Sequence, residues 1–121
     1  MKQIKINEAY KNMEQLVDNK ELTPAEQWKL YKLRKALKPH IDFYEEQYGK
    51  IGEKYTEVAD QNGMVHGEHA VAFAKDVNDL NNLDVETEEF ERPAIRFVEG
   101  INFMTAEALE DFIEFIPPEG V

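Results

Sequence analysis

The 121-residue chain contains no cysteine and no serine. The first absence removes disulfides, thiolate metal ligands and a thiol nucleophile, and fits a reducing compartment. The second removes every serine-nucleophile template, and no glycine-rich stretch forms a phosphate cradle. Apolar runs are short as well. No stretch of about 18 apolar residues suggests a membrane span, and the opening MKQIKINEAYKN lacks the apolar core of a signal peptide. These readings point to a cytosolic protein without a membrane partner. Basic residues are scarce in one half only. Residues 1–54 hold 11 Lys/Arg against 9 Asp/Glu, whereas residues 55–121 hold 3 against 16, within a total charge of −11. The acidic half repels nucleic acid, so nucleic-acid binding is disfavoured and would have to use the first half.

What is present is helical periodicity. Ile6, Ala9, Tyr10, Met13, Leu16 and Val17 share one face of a first helix, with Asn7 as its expected N-cap and its end near Asn19 or Lys20. The clearest start signal follows: Thr23-Pro24-Ala25-Glu26 is a capping box with proline at the first helical position. From there Leu30, Leu37, Tyr44 and Ile51 recur every seven residues, flanked by Leu33, Ile41, Tyr48 and Tyr55. A helix from Pro24 to about Tyr55 is roughly 48 Å long, more than a domain of this size needs for its own core. Pro39 predicts a kink near Lys35 to Lys38 without termination, because the apolar seam continues in phase beyond it.

Asp60-Gln61-Asn62-Gly63 reads as a turn, with room for a short hairpin around it. A third helix is expected over Ala70 to Leu83, with Asp76 and Asp79 on its outer face. Val85 to Phe90 suits an edge strand and Ala94 to Phe103 a second strand, while Thr105 is expected to cap a last helix carrying Leu109, Phe112, Ile113 and Ile116 on one face. The fold class is therefore mostly α with α+β character in one domain, 1–121. An antiparallel helical hairpin (1–58) with one long helix precedes a small acidic α+β part (59–121).

Few residues carry chemistry. His66, Glu68 and His69 are the nearest approach to a metal set, but a zinc site closes with three or four ligands and only His40 remains as a further histidine; Gly67 favours a loop. Glu86, Glu88, Glu89 and Glu91 have the residue type of a paired acid and base, yet strand alternation splits them between two faces, as in a charged edge that resists aggregation. Asp60-x-Asn62-Gly63 has the start of a calcium loop without its remaining ligands. Lys29, Lys32, Arg34, Lys35 and Lys38, interleaved with Trp28, Tyr31 and Leu33, are the best candidate for a nucleic-acid face, but helical spacing spreads them around the helix, so they read instead as a solvated flank or as a face for acidic protein, either the chain's own second half or a partner. Tyr44, Tyr48 and Tyr55 form a semi-exposed seam suited to contact, since a phenol tip prefers water or a polar group. No catalytic residue, metal or cofactor is implied. The candidate partner surface is Tyr44, Tyr48 and Tyr55 together with Glu86, Glu88, Glu89 and Glu91.

The order of segments adds a resemblance. An opening MKQIKINEAYKNMEQL, the helix LYKLRKAL, the acidic EKYTEVADQNG turn, NNLDVETEEFERPAI and a closing GINFMTAEALEDFIEFI together look like the small phage and prophage proteins of low-GC Gram-positive bacteria catalogued as domain of unknown function 1617. The resemblance rests on order and pattern, and departs at Pro39 and at the HGEH segment. It implies phage origin, action in the host cytoplasm and a helical hairpin with a small tail, and brings no catalytic residues. The reading at this level is a non-enzymatic accessory protein acting through protein contact or self-assembly. The alternative is an acidic mimic of nucleic acid, presenting the carboxylates of residues 84–114 to a basic host protein.

Overall fold

The longest element begins where the capping box places it. In a computed structural model, which describes residues 1–87 and 92–117, helix α2 runs without interruption from Pro24 to Lys54, through Pro39. Thr23 accepts from the Glu26 N–H, and the Glu26 carboxylate accepts from the Thr23 N–H at 3.0 Å. The remaining elements are α1 (Gln3–Val17), a 3₁₀ turn (Thr56–Val58), α3 (Gly67–Asn81), β1 (Ala94–Arg96), α4 (Phe103–Leu109) and β2 (Glu114–Ile116). The chain is thus mostly α, with one two-stranded sheet among the described residues.

α2 is a spine. α1 packs antiparallel along its first half, burying Ile6, Ala9, Met13 and Leu16 against Leu30, Leu33 and Leu37. α3 follows on the same side along the second half, with its end at Tyr44 and its middle at Tyr55. The seam between α1 and α3 is closed by backbone: the Gln3 N–H donates to Leu83 O at 2.9 Å, and Lys2 bridges Asp84 antiparallel. That donor–acceptor pair is why α1 starts at Gln3 with no side-chain cap, five residues earlier than expected; Asn7 lies inside the helix and accepts from Gln3 Nε2. α1 ends at Val17, short of Asn19.

The C-terminal part covers α1 and the start of α2. β1 and β2 pair in parallel, with Ile95 opposite Phe115, and Ile95, Ile101, Leu109, Phe112 and Ile113 complete the main core. Several expectations are corrected here. Strand β1 stops at Arg96, because a turn at Glu99-Gly100 (Gly100 φ +95°) redirects the chain, and Phe103 becomes an exposed first residue of α4. Asn102, not Thr105, caps α4 by accepting from the Thr105 N–H at 2.7 Å; the buried Thr105 hydroxyl donates instead to Gln15 on α1. α4 ends at Leu109, so Phe112 and Ile113 enter the core from a turn and Ile116 lies in β2. Val85 packs against the core beside the Lys2–Asp84 bridge, and residues 85–87 form no strand; the rest of the expected edge strand lies outside the described residues.

Candidate protein-contact arm

Beyond Leu37 the architecture changes. From residue 38 to residue 79 only Tyr55 is buried. The distal half of α2, the 3₁₀ turn and α3 form a two-helix arm that leaves the main core behind. Isolated pairs of helices bury too little apolar surface to offset their ordering entropy, so such an arm draws stability from the spine it is built on.

The arm is held by polar and aromatic contacts. The Tyr55 hydroxyl donates to Asp76 Oδ2 at 2.7 Å, Lys54 Nζ reaches the same oxygen at 3.0 Å, and the Tyr55 ring meets Phe73 edge-on at 5.5 Å. The Tyr55 hydroxyl foremost, then Lys54, holds the Asp76 carboxyl below its ordinary pKa, while the hydrogen bond to the Asp76 carboxylate foremost, then burial, pushes the Tyr55 phenol up. Asp76 therefore faces α2, contrary to the outer position expected for it; Asp79 is exposed and pairs with Lys75. Tyr44 donates to Asn81 Oδ1 at 2.8 Å, burial raises its pKa, and its ring stacks on Tyr48. Of the three seam tyrosines, Tyr55 and Tyr44 are engaged by α3, and Tyr48 remains 44% exposed.

Asp60 organises the arm's tip. Its Oδ1 accepts from the N–H groups of Asn62 and Met64, and its Oδ2 lies 2.7 Å from His66 Nε2; the histidine contact foremost, then the two N–H groups, lower its pKa. Gly63, at φ +78°, completes the turn, with no strand on either side. The HGEH segment is no loop: α3 starts at Gly67, three residues before the expected boundary, placing Glu68 and His69, both exposed, in its first turn. Among the described residues no group of three or more His, Asp or Glu is arranged to hold a metal. The tip also carries an apolar hollow of about 380 Å³, lined by Gly52, Tyr55, Ala59, Met64, Ala70 and Phe73 among others.

What sequence reading missed is the exposure of this arm's apolar residues. Val71 is 72% and Met64 58% exposed. Periodicity identified α3 as amphipathic but not what would cover its second face. The arm is acidic, with 3 Lys against 9 Asp/Glu over residues 41–81. In the C-terminal part, two carboxylates are already occupied by the N-terminal segment: Asp84 by the terminal ammonium at 2.6 Å, and Asp111 by Lys5. Glu86 is exposed, and Glu88, Glu89 and Glu91 lie outside the described residues.

Comparison of the chain with protein-family models, curated proteins and solved structures finds no match.

Proposed function

We propose that this chain is a non-enzymatic accessory protein that works by binding protein, with the two-helix arm as its principal contact. One observation carries the reading: across residues 38–79 the two helices and the turn between them expose Tyr48, Met64 and Val71 and bury Tyr55 alone. Large apolar side chains left this exposed on an acidic surface are the kind that a protein interface covers. An acidic rim favours a partner whose apolar surface is bordered by lysine and arginine. The order of segments, resembling small phage proteins, supports a phage or prophage origin and action in the host cytoplasm.

A photo-crosslinking residue at Val71 tests the contact, with Lys20, exposed on the body, as control. The expected result is a discrete protein adduct in the producing cell from position 71 and none from position 20. Equal yields at both positions, or no adduct from either, would overturn the reading.

A further inference from the structure

The face of α2 opposite α1 and α3 is bare along its whole length among the described residues. Helical spacing aligns Trp28, Tyr31, Lys32 and Lys35 on that face in the first half, and Asp42, Glu46, Gly49 and Glu53 in the second; all eight are exposed. The first half is cationic and aromatic. Trp28, the only tryptophan, stacks on Tyr31 with centroids 5.4 Å apart, and the two are more than half exposed. Lys32, Lys35 and Glu53 have no ion partner among the described residues, and Glu46 reaches only Lys50 of its own helix, at 3.4 Å.

A stripe that is positive at one end and negative at the other is complementary to itself when reversed. We propose that it is the interface of an antiparallel, two-fold dimer of this chain, with the axis crossing α2 between His40 and Ile41, so that residue i faces residue 81 − i of the second copy. Lys35 then faces Glu46, whose second oxygen is free to accept beside Lys50. The Trp28 indole N–H faces the Glu53 carboxylate, and Lys32 lies over Gly49, where the missing side chain admits close approach. Every pair occurs twice by symmetry. A parallel pairing would set Lys35 against Lys35 and Glu46 against Glu46. The strip from Trp28 to Glu53 is about 39 Å long, which lets modest exposed pairs act together. This gives the self-assembly expected from the sequence its own surface, on the side of the spine away from α3, distinct from the arm of the proposed function.

The test is a charge swap in the full chain, with molecular mass followed by light scattering and Trp28 emission across a dilution series. The expected wild-type behaviour is a dimer at low salt that weakens at about 1 M salt, where the screening length is about 3 Å. Lys35→Glu and Glu46→Lys should each weaken the dimer about tenfold or more, since each places like charges opposite one another twice. The double variant K35E/E46K should recover wild-type affinity to within about threefold, because the pair is restored in reverse. Trp28 emission should shift to the blue on association in the wild type and the double variant. A wild type that is monomeric at low salt, single variants that dimerise normally, or a double variant that is not rescued would each overturn the proposal. Such a failure leaves the Val71 adduct intact, whereas failure of the protein-contact reading removes that adduct and does not touch the charge swap.

Discussion

Glu26 ties the spine to the C-terminal part, and removing its charge has a calculable effect. The residue is 7% exposed. Its carboxylate accepts from Arg96 Nη2 at 2.8 Å, from the Arg96 backbone N–H at 3.1 Å and from the Thr23 N–H at 3.0 Å. Foremost through Arg96, these donors lower its pKa from 4.5 to about 2 against the opposing effect of burial. That lowering corresponds to a ceiling of about 3.4 kcal/mol at 1.36 kcal/mol per pH unit. The Arg96 side chain is 52% exposed, so solvent screening reduces the figure to about 1.5 to 2 kcal/mol. Glu26→Gln keeps the shape and an acceptor for the Thr23 N–H but loses the charge. A carboxyl with a lowered folded-state pKa stabilises above its unfolded pKa, and that contribution is lost as pH falls from about 4.5 towards 2. Urea unfolding of both proteins at several pH values should show a deficit of about 1.5 to 2 kcal/mol at pH 7 that shrinks progressively below about pH 4.5. Taking the difference cancels the titration of the other carboxylates. A deficit independent of pH, or one below about 0.5 kcal/mol at neutrality, would refute the ion-pair reasoning.

Phe112→Ala should destabilise the whole molecule by about 3 to 5 kcal/mol in the same assay, because a fully buried ring is removed from the main core. Tyr55→Phe removes the hydroxyl that donates to Asp76 and should cost about 1 kcal/mol, read as faster amide exchange in α3 with little change in α1. Gly63→Ala forces an alanine to φ +78° and should cost about 1 kcal/mol, with faster exchange confined to the arm's tip.

Local signals in this sequence were legible, and distant ones were not. The capping box fixed the start of α2 because its donors and acceptors are neighbours in sequence, and the seven-residue seam carried the helix correctly through Pro39 to Lys54. The start of α1 was misplaced because its N–H partner is Leu83 O, eighty residues away. Asn102 and Thr105 are both competent caps; the choice between them depends on Gln15, which takes the Thr105 hydroxyl. Phe112 and Ile113 kept helical spacing after Leu109 although the helix had ended, since a turn can deliver two apolar residues to the same core. Helical spacing puts Asp76 on the outer face, but Tyr55 and Lys54 of α2 draw its carboxylate inward, a contact that spacing within α3 does not encode. The tyrosine seam was visible as a pattern, but its division into engaged Tyr44 and Tyr55 and exposed Tyr48 depends on where α3 returns. The stripe of Trp28 and Tyr31 is legible only as part of a basic stretch, since sequence does not say which face of a long helix stays bare.

Residues 38–79 form an arm that buries Tyr55 alone, and the proposed function has another protein molecule cover it. Amide exchange along the single helix α2 tests it most directly, in dilute protein with and without the crosslinked partner of the arm. The expected result is that residues 42–54 open at distinctly lower free energy than residues 27–37 when the protein is alone, and approach the protection of the first half when the partner is bound. Uniform protection along α2 in the dilute protein, unchanged by a partner, would contradict it.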